Sequence, residues 1–174
     1  MPRFLQDGAL YHVTARANRK EMIFDEQEMK ELFLEVLERA KSKYAFRLEN
    51  FCIMGNHIHL MVRPEGTTNL SRLMQWVLSV FAMAYNRIHG YEGHLWGSRF
   101  FSRIVNGLRD FLRMFRYIDD NPVEAHQVVY KHDWRFGGLW HHRAGIADLC
   151  ARADPLLGLM LPEHAQLMLA DATC

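Results

Sequence analysis

The chain has 174 residues and a formal net charge of +1, from 21 lysines and arginines against 20 aspartates and glutamates. Hydrophobic residues make up 49% and charged residues 24%, which excludes a disordered, collagenous or coiled-coil chain. No apolar run approaches ~18 residues, so no transmembrane helix is expected, and Met1-Pro2-Arg3 opens no apolar signal segment.

In chain order, Tyr11-His12-Val13-Thr14-Ala15-Arg16-Ala17 alternates apolar and polar residues and predicts a strand. A polar turn, Asn18-Arg19-Lys20, follows. Asp25 with Glu28 has the form of a capping box. Met29, Leu32, Phe33, Val36, Leu37, Ala40 and Tyr44 then fall at helical spacing, which predicts a helix over 25–44. Two strand-like runs, Arg47 to Met54 and His57 to Val62, flank Gly55-Asn56 as a tight hairpin turn. After the loop Arg63 to Thr68, a second helix is predicted over 69–89, with Gly90 placed to end it. Arg99 to Val105 predicts another strand. A third helix begins near Leu108 and is expected to stop by Asn121, because Pro122 follows. The remainder, with Trp134, Gly137, Gly138 and Trp140, reads as mostly irregular, apart from a short helix near Pro162 to Ala170.

The order of the first six elements predicts an α+β fold. It is a ferredoxin-like antiparallel sheet with a βαββαβ core flanked by helices, and the third helix is added after that core. Residues 1–143 are expected to form one domain and 144–174 a C-terminal tail. The three cysteines, Cys52, Cys150 and Cys174, form no CxxC pair. Neither a disulfide framework nor a zinc knuckle is expected, and the cytoplasm is the expected compartment.

A net charge of +1 gives no wholesale electrostatic case for nucleic acid. The distribution is less even, because Arg99, Arg103, Arg109, Arg113 and Arg116 face only Asp110 between His94 and Arg116. Such a segment can form a phosphate-facing surface or an ordinary solvated face.

Two groups of residues carry chemistry. On a strand, Ile58, Leu60 and Val62 share one face, and His57 and His59 share the other. Two imidazoles one strand repeat apart can reach one metal ion, or form a polar surface. There is no HExxH, which argues against a zinc hydrolase of that type. On the third helix, Leu108, Phe111, Leu112, Phe115 and Ile118 form an apolar stripe. Tyr117 lies roughly opposite it, near Asp110, Met114 and Asn121, with Arg113 and Arg116 flanking it. Tyr117 and Asn121, one turn apart, can serve one site. A metal can polarise a phosphodiester oxygen, and a tyrosine hydroxyl can attack phosphorus.

Four segments together resemble the single-tyrosine HUH transposases, most closely the REP-associated tyrosine transposases. They are Tyr11-His12-Val13-Thr14 with Arg16 and Arg19; Met54-Gly55-Asn56-His57-Ile58-His59-Leu60; Gly93-His94-Leu95-Trp96-Gly97-Ser98-Arg99-Phe100; and Arg116-Tyr117-Ile118-Asp119-Asp120-Asn121-Pro122-Val123. They span about two thirds of the chain. The resemblance implies metal-dependent cleavage and strand transfer of single-stranded, hairpin-marked DNA through a 5′-phosphotyrosine link. It implies Tyr117 as nucleophile, His57, His59 and Asn121 as ligands of Mg or Mn, and a protein that acts as a monomer or a homodimer. Arg16, Arg19, Arg99, Arg103, Arg113 and Arg116 are the expected DNA contacts. The chain departs from the family at Glu124, where an arginine is usual, at His126, where a glycine is usual, and over Trp134 to Gly138. A non-catalytic hairpin-binding protein that keeps the fold is the alternative.

Overall fold

The computed structural model describes residues 8–151 and 155–164. Strand β1 (Tyr11–Arg16) is followed by helix α1 (Gln27–Lys43), strands β2 (Phe46–Ile53) and β3 (His57–Pro64), helix α2 (Leu70–His89), strand β4 (Phe101–Ile104) and helix α3 (Gly107–Glu124). The four strands form one antiparallel sheet in the order β2-β3-β1-β4, as the ferredoxin-like pattern requires. Helices α4 (Gly138–Arg143) and α5 (Pro155–Met160) and a 3-10 turn (Pro162–His164) complete the described chain. No helix of the described residues is long and apolar enough to cross a membrane.

Period-two alternation builds two cores, one on each face of the sheet. Val13, Leu48, Phe51, Ile53, Ile58, Leu60 and Val62 pack with Phe33, Val36, Leu73, Val77 and Phe81 of α1 and α2. On the opposite face Cys52, Met54 and Met61 pack with Met114, Phe115 and Ile118 of α3. A bulge between Leu48 and Asn50 lets Leu48 and Phe51 share the first core. Asn50 is thereby buried toward α3, where it reaches Asp119.

Helix α2 matches its expected limits because both ends are chemically marked. The Asn69 side chain accepts from the N–H groups of Ser71 and Arg72, and Gly90 ends the helix in the left-handed region at φ 64°. Gly55-Asn56 does join the β2–β3 hairpin. Its carbonyls accept from Phe24 and Ala17 N–H, which docks the turn onto the segment leading into α1.

Several expectations are corrected. Asp25 does not cap α1; its N–H donates to the Met22 carbonyl at 3.1 Å, closing a turn, and Glu26 stands at the N-cap without a side-chain bond. The last strand is shorter than Arg99 to Val105. Helix α3 runs through Pro122 to Glu124. Proline there removes one hydrogen bond in the last turn, while Ala125 N–H still donates to the Asn121 carbonyl. Between Lys131 and Ala151 the chain is less irregular than expected, with a 3-10 turn over Lys131–Asp133 and helix α4. Ile53 N–H donates to the Phe136 carbonyl and Ala151 N–H to the Leu48 carbonyl, covering the β2 edge. The expected helix from Pro162 to Ala170 is a 3-10 turn over Pro162–His164, and 165–170 lie outside the described residues. Cys52 and Cys150 are free thiols; Cys174 also lies outside the described residues.

Candidate active site

Strand pairing assembles the site. Thr14 pairs with His59 and Arg16 with His57 across β1 and β3, so the histidines lie on the face covered by α3. His12 stands beside them, with Nε2 3.0 Å from His59 Nδ1. Thr14 Oγ1 lies 3.3 Å from the same nitrogen. His57 Nδ1 faces Asn56 Oδ1 at 2.7 Å and therefore donates to it, which leaves Nε2 with its lone pair.

These imidazoles are neutral. Burial, with the Arg16 charge, lowers the His57 pKa from 6.5 to about 4. Burial, with His57, His12 and Arg16 nearby, lowers His59 to about 3. Burial, with the Arg103 charge, lowers His12 to about 4. His59 Nε2 is buried and has no hydrogen-bond partner. A buried nitrogen without a partner is costly in a folded chain, and a neutral imidazole nitrogen is a good metal ligand.

Helix α3 brings the remaining groups. The Tyr117 ring meets His59 edge to face at 5.4 Å between centroids and His12 at 6.0 Å. Tyr117 is 42% exposed, so it lies at the surface of this cluster. The expected helical faces shift somewhat. Met114 is buried, whereas Leu108, assigned to the apolar stripe, is 55% exposed. The Asn121 amide nitrogen donates to the Tyr117 carbonyl, leaving Oδ1 as its acceptor. That amide opposes the fall in pKa of both His57 and His59 without hydrogen bonding to His59 Nε2.

The donor set fits a divalent cation of the hard or borderline kind. It offers two neutral imidazoles and one amide oxygen. Among the described residues no group of three or more His, Cys, Asp and Glu is arranged to hold a metal ion, so His12 stands as a neighbour of the pair.

The arginines divide into two groups. Arg103 forms a two-pronged pair with Asp110, at 2.9 and 3.1 Å, and Arg113 reaches the same carboxylate at 2.6 Å. The Arg103 hydrogen bonds, aided by Arg113, hold the Asp110 carboxyl well below the usual range. Arg16, Arg19, Arg99 and Arg116 are exposed and make no ion pair among the described residues.

Sequence reasoning missed His12 as a site residue. It shares a strand face with Thr14, so its side was readable, but its contact with His59 spans 47 positions.

The family described as "Transposase IS200 like" matches residues 6–121. A protein of Haemophilus influenzae, named as a REP-associated tyrosine transposase, is 26% identical over 116 residues. That alignment covers 61% of this chain, and the chain spans 65% of the length of that relative. A solved REP-associated tyrosine transposase, bound to a REP hairpin, superposes with a TM-score of 0.69 at 20% identity. It covers 84% of this chain and 85% of the other, and establishes the likeness of fold.

Proposed function

The chain belongs to the IS200-like transposase family, and from that membership we propose that it cleaves and rejoins single-stranded DNA through a covalent bond to Tyr117. The observation that carries this reading is the Tyr117 ring standing on His59, whose buried Nε2 has no protein partner.

His57, His59 and Asn121 would hold Mg or Mn. The bound cation would polarise the phosphodiester and lower the cost of charge on the attacking and leaving oxygens. Asn56 fixes the tautomer of His57, while His12 and Thr14 fix the orientation of His59. The Tyr117 hydroxyl oxygen attacks phosphorus as it loses its proton. The bond from phosphorus to the 3′-oxygen breaks, and that oxygen leaves with a proton as a 3′-hydroxyl. The 5′ side stays on Tyr117 as a phosphodiester, so the reverse attack by a 3′-hydroxyl rejoins DNA without ATP.

The solved relative is bound to a REP hairpin, and hairpin-bearing single strands are the substrates proposed here. The exposed Arg16, Arg19, Arg99 and Arg116 are suited to phosphates near the fold-back.

The test uses hairpin-bearing oligonucleotides from the DNA flanking the gene, with Mn or Mg, the wild type and Tyr117→Phe. The expected result is a band resistant to denaturation in the wild type and its loss in Tyr117→Phe, with binding on native gels retained. His57→Ala and His59→Ala are expected to lose the adduct and weaken Mn binding. Wild-type binding without an adduct would support the non-catalytic hairpin-binding alternative. An adduct that persists in Tyr117→Phe would move the nucleophile elsewhere.

A further inference from the structure

Asp119 lies on α3 between Tyr117 and Asn121, about 200° round the helix from each. It points into the body and is buried. Its Oδ1 accepts from Asn50 Nδ2 at 3.0 Å, and its Oδ2 lies 2.6 Å from His164 Nε2. His164 is fully buried in the 3-10 turn. Its other ring nitrogen is 2.7 Å from His142 Nδ1 of α4, and His142 Nε2 is 3.2 Å from Cys150 Sγ.

The neighbouring residues repeat the tie. Asp120 Oδ1 lies 3.3 Å from Lys131 Nζ, which also reaches Glu163 at 3.0 Å. Two consecutive acids on α3 are therefore fastened to two consecutive residues of the 3-10 turn, one directly and one through a lysine. Leu161 packs in the same core as Met114, Phe115 and Ile118. The Phe115 ring meets His164 edge to face at 5.1 Å. Among the described residues, His164, Lys131 and Glu163 share no hydrogen bond, ion pair or ring contact with Tyr117, His12 or His59. What they set is the position of the helix.

A buried carboxylate needs donors, and His164 and Asn50 supply the ones Asp119 has. We propose that His164 is a positioning residue for Tyr117: its bond to Asp119 braces α3 so that the tyrosine stands over His59. The proposal rests on the reading of Tyr117 as the nucleophile. The brace is made by a segment 47 positions further along the chain than the tyrosine itself.

The test compares the full-length wild type with His164→Ala and His164→Gln. Glutamine can place an amide donor near the histidine Nε2 position. Two readouts are followed, amide hydrogen exchange of peptides over 114–124 and the rate of adduct formation at saturating oligonucleotide. For His164→Ala, exchange over α3 should rise about tenfold, while exchange in α1 and α2 stays at the wild-type level. The adduct rate should fall about tenfold with DNA affinity within about threefold of wild type, and His164→Gln should restore both. Lys131→Met, which cuts only the outer tie, should show the same pattern at smaller size and serves if His164→Ala does not fold.

Unchanged α3 exchange in a folded His164→Ala would overturn the brace. A uniform rise across the whole chain, equal in both His164 variants, would also overturn it. If the wild type forms no adduct, the reading of Tyr117 fails, and the exchange comparison still decides the brace.

Discussion

The rings of His12 and His59 lie nearly parallel, 5.2 Å apart with planes at 12°, and share one hydrogen bond at 3.0 Å between Nε2 of His12 and Nδ1 of His59. One nitrogen of His59 is thus occupied from β1, and the other is buried without a hydrogen-bond partner. His12, with Thr14 Oγ1 3.3 Å from the same nitrogen, therefore holds His59 from β1, and on the proposed reading it would act as outer groups do toward metal-binding imidazoles.

His12→Ala should then weaken Mn affinity by about 10- to 100-fold, the usual effect of losing such a support. Binding of hairpin DNA without metal should stay within about threefold. A Mn titration followed by electron paramagnetic resonance measures the first and a native gel the second. Unchanged Mn affinity would make His12 a packing residue alone.

The arginines should separate by their partners. Arg16 and Arg116 are exposed and outside any ion pair among the described residues. Replacing either by alanine should lower the slope of log affinity against log salt by about 0.7 on single strands, if each neutralises one phosphate. Arg103 is committed to Asp110 by two hydrogen bonds. Arg103→Ala should leave the slope nearly unchanged and cost about 1 kcal/mol of stability. Fluorescence titration across a salt series, with urea unfolding alongside, checks both.

The sequence makes local rules legible and distant partners illegible. The alternation Ile58, Leu60, Val62 against His57, His59 places the pair on the correct face from one strand alone. Asn69 and Gly90 bound α2 because capping is a local chemistry. The bulge at Glu49 has no such marker. It turns Asn50 toward Asp119, 69 positions away, and only the assembled sheet reveals it. Pro122 is likewise no stop: the helix runs on to Glu124, and the carbonyls of Asn121, Pro122 and Val123 accept from Ala125, Gln127 and His126. Asp119 reads as a routine acid beside Tyr117 until His164 is seen against it.

Acid should destabilise the metal-free protein over a defined window. His12, His57 and His142 are lowered by burial to about 4, and His59 to about 3. An unfolded histidine takes up its proton near pH 6.5. Between that pH and about 4 the unfolded chain binds more protons than the folded one, so stability falls as pH falls. Above about pH 7 both states are neutral at these rings, and the contribution is flat. His142, buried against His164 and Cys150, contributes to this fall. Urea midpoints in EDTA from pH 8 to 4.5 should show a plateau and then a steep decline. A midpoint that holds steady down to pH 5 would mean these rings accept protons in the folded state.

Gly138 opens α4 against β2, and its replacement tests how firmly Asn50 is held. On helix propensity alone, alanine there would stabilise by roughly 0.5–1 kcal/mol. A methyl group at Gly138 would instead overlap Asn50 Oδ1 and approach Phe51 N to 3.1 Å. That oxygen accepts from Phe51 N–H at 2.8 Å, and the same amide donates to Asp119. Asn50 cannot swing away without giving up both bonds in a buried site. Gly138→Ala should therefore destabilise by about 1–3 kcal/mol, the range for overpacking. Gly137→Ala meets Trp134 at 3.3 Å, a side-chain atom, and should cost less. Urea unfolding of the two variants decides the order. A gain in stability for Gly138→Ala would show that Asn50 has room to turn, and that the carboxylate of Asp119 depends on His164 rather than on β2.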